Sequence, residues 1–251
     1  MIRISKPTTI PAKLSGDGVT ENKRNEDAYD KNKQAYITNK KRFKIDPKIY
    51  NHYTIKAALK KAQYAKCCFC EKDQSDEYGA VEHYRPKAGY KQVRKTPLNK
   101  PGYYWLGYDW NNLFFVCSPC NTHKGNIFPL ADQTKRATSH HDDVANEEPY
   151  LLDPGGIRDP RDHIAFDSEF VRGKSLHGIE TINACRLDRN SLNEKRKKLL
   201  SDIDFHLVVL LDEKNQSVDT VRKSRKILRK CRSQQAEFSA AAIDFLSKSN
   251  I

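Results

Sequence analysis

The tetrapeptide CCFC at residues 67–70 is matched by a second one, CSPC, at residues 117–120. In each of them two cysteines are separated by two residues, a spacing that places both thiolates on one side of a tight turn. Two such turns supply the four sulfurs that complete the tetrahedral shell of a structural Zn²⁺ ion. The sequence therefore predicts a zinc staple made of Cys67, Cys70, Cys117 and Cys120.

Two other interpretations of the paired cysteines are a redox CxxC motif and two pairs of buried thiols. A redox motif would need no second pair, and the odd total of seven cysteines argues against a disulfide framework. The remaining cysteines have no partner at ligand spacing, and we interpret them as ordinary, partly buried side chains. They are Cys68, Cys185 and Cys231.

The insertion between the two knuckles contains the string VEHYRPK at residues 81–87, in which Glu82 and His83 are adjacent. Hydrolysis of a phosphodiester needs a base that activates water and a cation that stabilises charge on the phosphate. An imidazole and a carboxylate can provide the base and a ligand for the cation. A surface glutamate beside a hydrogen-bonded histidine is the simpler alternative, but the position between the knuckles favours the catalytic interpretation.

The second knuckle is preceded by the apolar run LFFV at residues 113–116, which predicts a buried strand or the apolar side of a helix. Asn121 directly follows the last cysteine, so the staple would fix its position. A rigid amide oxygen suits Mg²⁺, a hard cation that prefers oxygen ligands.

These residues together resemble a known family. The order CxxC, Glu-His, Asn-Leu, CxxC-Asn-x-x-Lys resembles the HNH endonucleases with a ββα-metal core. The strings VEHYRPK, YYWLGYDWNNLFFVCSPCN and FPL are similar to the HNH subunit of Septu-type anti-phage systems, which is paired with an ABC-type ATPase and also occurs beside retrons. The strong part covers residues 64–130, with weaker echoes in LLDP at 151–154, LDR at 187–189, Leu192 and Arg196.

The resemblance implies a role for each matching residue. His83 would be the general base, and Glu82 and Asn121 would bind a catalytic Mg²⁺ or Mn²⁺ ion. Asn112 would hold the loop that carries the base. The family often has histidine at the third position, so His123 is an alternative metal ligand. Residues expected to contact the nucleic acid are Arg85, Lys87 and Lys124.

The net charge of +13 favours a polyanionic partner, because each neutralised phosphate releases counterions. We expect nucleic acid, and DNA first, to be that partner. No run of about 18 apolar residues is present, which predicts a protein without a membrane span. The N-terminus lacks the apolar core of a signal peptide, so we expect a cytoplasmic protein.

The predicted fold class is α+β, with a zinc-stapled ββα-metal HNH core flanked by N- and C-terminal helical segments. Residues 1–63 form a strand and a helical segment, residues 64–130 the nuclease core, and residues 131–251 a loop followed by a helical region. The stretch 222–232 has seven basic side chains and favours either DNA-backbone contact or an acidic partner surface. We expect the C-terminal region, residues 176–251, to dock the ATPase and to be dispensable for folding of the zinc core.

Three further points concern function. The run His140-His141-Asp142-Asp143 has the composition of a metal cluster, but we interpret it as a solvated loop. Gly173-Lys174-Ser175 is not a P-loop, because Ser168 stands where the first glycine is needed. The ATPase would therefore be a separate chain. The resemblance also implies a retron RNA–DNA as a possible further partner. The alternative function is a catalytically degenerate subunit that contains zinc and binds nucleic acid or docks the ATPase.

Overall fold

Ten helices and two short antiparallel hairpins make up the regular structure of the computed structural model, which describes residues 1–249. The helices are α1 (Val19–Lys31), α2 (Lys33–Ile37), α3 (Pro47–Tyr50), α4 (Tyr53–Ala62), α5 (Ser118–Lys124), α6 (Pro160–His163), α7 (Leu176–Cys185), α8 (Asn190–Leu211), α9 (Val218–Cys231) and α10 (Ser239–Ser247). The strands are β1 (Ala80–His83), β2 (Leu113–Val116), β3 (Ile164–Asp167) and β4 (Phe170–Gly173). The expected α+β class is confirmed.

The hairpin of β1 and β2 carries the residues that the sequence singles out. The strands are antiparallel, with Glu82 opposite Phe114 and His83 opposite Leu113. All four residues of β2 are buried, as a strand covered on both faces requires. Helix α5 begins directly after Cys117, and Pro119 lies within its first turn, where the missing N–H of proline costs no hydrogen bond. The chain order at this hairpin is therefore strand, strand, helix.

One hydrophobic core joins all three segments of the sequence. It contains Ile2 and Ile4 from the N-terminal segment, the four paired cysteines and Phe128 from the central segment, and Leu151, Ile182 and Phe238 from the C-terminal segment. A second cluster packs Leu14, Ile55 and Leu59 of the N-terminal segment against Phe115 of β2. The three segments are consequently parts of one packed unit.

Glu71 ties the C-terminal region to the first cysteine knuckle. The side chain of Glu71 is buried, and its carboxylate accepts hydrogen bonds from Ser239 Oγ at 2.8 Å and from the backbone N–H of Ala240 at 3.3 Å. The Met1 ammonium lies 2.6 Å from the other carboxylate oxygen. Burial alone would raise the pKa of Glu71, but the charges of Met1 and Lys66 lower this pKa to about 2. Removal of residues 176–251 would take two hydrogen-bond donors from this buried carboxylate, which argues against the expectation that the zinc core folds without them.

The structure differs from the sequence pattern at three further places. Residues 1–10 belong to neither sheet, and the N–H of Ile4 donates to the carbonyl of Pro154. The hairpin of β3 and β4 lies where the pattern predicts a loop turning into helix. The C-terminal helical region is interrupted between α9 and α10 at residues 232–238, where Phe238 adopts a left-handed conformation with φ of 49°. No helix within the described residues is long and apolar enough to cross a membrane.

Candidate active site and metal centre

The four paired cysteines converge in the core. All four are buried, and their Sγ atoms lie within 4.8 Å of one another. Cys70 Sγ and Cys117 Sγ are 3.7 Å apart. Four sulfurs at ~2.3 Å from a tetrahedral Zn²⁺ ion would be separated by about 3.8 Å, so the observed distance fits. These thiols could hold a metal ion such as zinc.

Backbone hydrogen bonds fix the two knuckles against the β1–β2 hairpin. The N–H of Cys68 donates to the carbonyl of Phe115 in β2 at 3.1 Å. The N–H of Asn121 donates to the carbonyl of Cys117 at 3.0 Å, as part of the first turn of α5. The first knuckle therefore attaches to the strand that leads into the second, which brings both pairs of sulfurs to one point.

Arg189, at the entrance to α8, completes the surroundings of the four sulfurs. Its Nη2 lies 3.4 Å from Cys120 Sγ and 4.0 Å from Cys117 Sγ. A guanidinium that donates to thiolates offsets their negative charge and orients them, as hydrogen-bond partners of metal ligands do. The CxxC spacing could not reveal this residue, and its one signal was the weak echo at residues 187–189.

Glu82 points from the end of β1 towards α5. Its Oε1 lies 2.7 Å from Nζ of Lys124, which also donates to the carbonyl of His83 at 2.8 Å. Lys124 is fully buried. Its ammonium therefore neutralises Glu82 inside the protein instead of facing a solvent-borne phosphate, which differs from the expected contact with nucleic acid.

His83 occupies the opposite face of β1, because side chains alternate along a strand. Its Nε2 lies 2.8 Å from the carbonyl oxygen of Gly107, an acceptor, so Nε2 carries the hydrogen and Nδ1 keeps a lone pair. The edge of the Tyr50 ring packs against the imidazole, and Nζ of Lys87 lies 3.3 Å from Nδ1. Burial, followed by the positive charge of Lys87, holds the pKa of His83 well below its usual range. The imidazole is consequently neutral at pH 7.

Asn112 bridges the two ends of the long loop that joins β1 to β2. Its Oδ1 accepts from the N–H of Arg85 at 2.7 Å, and its Nδ2 donates to the carbonyls of Arg85 at 3.1 Å and Leu106 at 3.0 Å. Every donor and acceptor of this amide group thus serves the backbone near His83. Such an arrangement fixes the loop, and a catalytic role for Asn112 remains a prediction.

Asn121 and His123 lie on different sides of α5. Asn121 is three residues before Lys124, so the two share the face that meets β1. His123 is two residues from Asn121, which turns it away by about 200°. Burial first, then the charges of Arg189, Arg186 and Arg94, lower the pKa of His123. These arginines place His123 in a positively charged surrounding.

Arg85 and Lys87, two of the residues expected to contact nucleic acid, have different neighbours in the structure. Arg85 Nε pairs with the buried carboxylate of Glu147 at 3.0 Å. Lys87 Nζ lies over the ring of Tyr50, beside His83.

Within residues 1–249, His, Cys, Asp and Glu form two groups of three or more that could hold a metal: the four cysteines, and Asp30 with His140 and His141. The set Glu82, His83 and His123 is not such a group.

Comparison with known proteins supports the resemblance. The chain is 37% identical over 169 residues to the Septu protein PtuB of Bacillus mycoides (strain KBAB4), a match covering 65% of this chain and 56% of PtuB. It is 26% identical over 148 residues to the Septu protein PtuA of the same strain, covering 58% of this chain and 21% of PtuA. The match thus spans about half of PtuB and a fifth of PtuA. No family model matches the chain.

We expect purified protein to carry about one tightly bound zinc per chain, and the Cys67→Ser/Cys120→Ser double variant to lose it. Folding should become far less stable, because a structural zinc site contributes its binding energy to folding. Elemental analysis and thermal unfolding measure both effects. The matched control is Cys231→Ser, which removes a half-buried thiol outside the cluster. Unchanged zinc content in the double variant would contradict the assignment.

Proposed function

On the basis of this likeness to Septu PtuB, we propose that the chain is a metal-dependent HNH endonuclease that hydrolyses phosphodiester bonds of nucleic acid, with DNA the expected substrate. We further propose that it is the effector subunit of an ATPase-coupled anti-phage complex. The observation that carries the nuclease proposal is the buried His83 at the end of β1, whose Nε2 donates to the carbonyl of Gly107. Glu82 is its neighbour, and a strand–strand–helix unit supports both residues.

His83 is the general base in this proposal. A base must accept a proton in its resting state, and the lowered pKa of His83 keeps the imidazole neutral at physiological pH. The carbonyl of Gly107 would stabilise the imidazolium that forms when Nδ1 takes a proton from water. Asn112 keeps the intervening loop in register, so that the base and its carbonyl partner stay in contact.

Glu82 and Asn121 supply the donor atoms for the catalytic ion. A carboxylate and an amide oxygen are the hard ligands that Mg²⁺ and Mn²⁺ prefer. When bound, such an ion stabilises charge on the phosphate and on the leaving oxygen. We prefer Asn121 to His123, because Asn121 shares the helix face of Lys124, which contacts Glu82.

Lys87 links substrate binding to exposure of the base. The side chain of His83 is 2% exposed, and the Lys87 ammonium covers Nδ1 at 3.3 Å. A phosphate oxygen attracts this ammonium more strongly than the neutral imidazole does, since the new contact is charge-assisted. Movement of Lys87 onto the nucleic-acid backbone would then open Nδ1 to water.

A second candidate function is a catalytically degenerate subunit that binds nucleic acid or docks the ATPase. The contact between Lys124 and Glu82 favours it, because this carboxylate already has an internal cation. The two candidates differ in whether the chain cuts, so the same set of variants separates them.

Our first functional prediction concerns the base. His83→Ala should reduce cleavage by about 10²–10⁴-fold while leaving nucleic-acid binding largely intact, since removal of a general base has effects of this size. Single-turnover cleavage of DNA and RNA with Mg²⁺ or Mn²⁺, together with a binding assay, measures both. Wild-type cleavage by this variant would refute the site, and no metal-dependent cleavage by the wild-type complex would favour the degenerate subunit.

The metal ligands give a matched pair of variants. Asn121→Ala should abolish cleavage, whereas His123→Ala should retain it, because the two side chains lie on different sides of α5. Cleavage measured across a Mn²⁺ titration reports whether the loss reflects weaker metal binding. The opposite result, with loss only in His123→Ala, would assign the ligand to His123.

Electrostatic attraction should dominate nucleic-acid binding. Six exposed basic residues lie along α9: Arg222, Lys223, Arg225, Lys226, Arg229 and Lys230. If six phosphates are contacted, affinity should fall by about 10³-fold between 50 and 200 mM salt. Binding titrations at several salt concentrations give the slope, and a flat response would show that the charge serves another partner.

The PtuA likeness supports a physical partnership with an ATPase. About four fifths of PtuA lies outside the match, so a stretch similar to this chain occurs there within a much longer polypeptide. On this chain, α8 exposes Phe205, Val208 and Leu211 at three-residue spacing, a stripe of one helix face. An exposed apolar stripe of this kind suits a hydrophobic groove on a partner.

Phe205→Asp/Leu211→Asp should weaken association with the ATPase at least about tenfold, because two exposed anchors, 65% and 74% accessible, become charged. These substitutions keep the contacts of Glu71 with the C-terminal region, which deletion of residues 176–251 would remove. Co-purification and titration with the ATPase measure the effect. Ile157→Asp is the control, since Ile157 is 89% exposed and outside the stripe. Full affinity in the double variant would place the docking surface elsewhere.

A further inference from the structure

Asp30 at the end of α1 meets two consecutive histidines of the loop between α5 and α6. His141 Nε2 lies 2.8 Å from one carboxylate oxygen of Asp30, and His140 Nε2 lies 3.4 Å from the other. One donor atom from each residue lies within 4.8 Å of the others. The solvated loop expected from the sequence therefore brings two imidazoles and a carboxylate to a single point.

Tyr104 positions the first of these histidines. Its Oη lies 2.7 Å from Nδ1 of His140. Tyr104 is fully buried. With a metal ion on Nε2, the phenol oxygen could accept from Nδ1–H of His140 and hold the ring in place. A histidine that binds a metal through one nitrogen is typically held in this way through the other.

The placement of the three donor atoms suits a divalent ion. The rings of His140 and His141 are 4.0 Å apart between centroids, and each ring presents Nε2 to a different oxygen of the Asp30 carboxylate. A single cation among the three donor atoms would satisfy both neutral imidazoles and the carboxylate together.

Exposure separates this group from the cysteine staple. The side chains of Asp30, His140 and His141 are 47%, 14% and 62% exposed, whereas the four cysteines are buried. A metal held here would keep positions open to water and would exchange with solution. His141 also borders an open polar depression that Asp142, Asp143 and Asn146 help to line.

We propose that Asp30, His140 and His141 form a second, exchangeable site for a late first-row divalent ion such as Zn²⁺ or Ni²⁺. Two imidazoles and one carboxylate are a ligand set that such ions accept, with water in the remaining positions. The site would tie α1 to the loop after α5. This proposal does not depend on the nuclease assignment, because none of its three ligands belongs to that site.

The metal site would also stiffen the turn that holds His83. Tyr104 begins the short helical turn Tyr104–Leu106, and Gly107 follows it. The carbonyl of Gly107 accepts from His83, and the carbonyl of Leu106 accepts from Asn112. Metal binding should therefore slow amide hydrogen exchange in residues 104–107, a readout that needs no cleavage.

The test uses the full chain with its staple metal in place and Ni²⁺ as the probe. Equilibrium dialysis and calorimetry should find one more bound Ni²⁺ per wild-type chain than in His140→Ala/His141→Ala. The affinity for Ni²⁺ at this site should fall at least about 100-fold in that variant. It should fall by about 10–100-fold in Tyr104→Phe, which removes only the hydroxyl that contacts Nδ1 of His140. The difference between wild type and variant counts this site only, whatever Ni²⁺ binds elsewhere.

His52→Ala is the matched control, since it removes a histidine outside the group and should leave Ni²⁺ binding unchanged. If the double variant folds poorly, Asp30→Asn replaces it, because it changes one ligand at an exposed helix end. We expect Asp30→Asn to weaken Ni²⁺ binding as well. Equal Ni²⁺ binding by wild type, Asp30→Asn and the double variant would overturn the proposal. The group would then be a hydrogen-bonded contact between the two histidines and Asp30.

Discussion

The convergence of four cysteine sulfurs is the constraint on which the rest of the molecule depends. One knuckle joins β2 through Cys68, the other begins α5, and Arg189 reaches both sulfurs of the second knuckle from the start of α8. Four thiols packed this closely in a core are hard to explain without a cation, since thiolate charges would repel and thiols are poor hydrogen-bond donors. Strand, helix and C-terminal region thus take their relative positions from one point.

The candidate catalytic residues are held by that frame but face opposite ways. Glu82 points to α5, where Lys124 neutralises it, and His83 points to Tyr50 and Gly107. A short β-strand can place an acidic ligand and a base on adjacent residues because its side chains alternate. The same alternation gives each group its own electrostatic surroundings: Glu82 pairs with the Lys124 ammonium, while burial and the charge of Lys87 lower the pKa of His83.

The sequence was most informative where chemistry depends on local spacing. The two CxxC turns predicted the cysteine cluster, and the apolar run before the second one predicted the buried strand β2. Contacts between distant segments could not be predicted, because no periodicity reports them. The pairing of Lys124 with Glu82, the carbonyl of Gly107 at His83 and the arginine at the staple are of this kind. The contact of His140 and His141 with Asp30 is of the same kind, since this carboxylate is more than 100 residues earlier.

The C-terminal helices close the core around Glu71, and Arg189 donates to the staple. Residues 64–130, which carry the motifs, therefore depend on contacts with the rest of the chain. Any recombination event that moved the motif-bearing stretch alone would deliver it without its buried counter-charges. The similarity to the two Septu proteins extends over 169 and 148 residues, well beyond the motif-bearing stretch. A graft of this site into another protein should accordingly include the flanking segments that neutralise and cover the motifs, and not residues 64–130 alone.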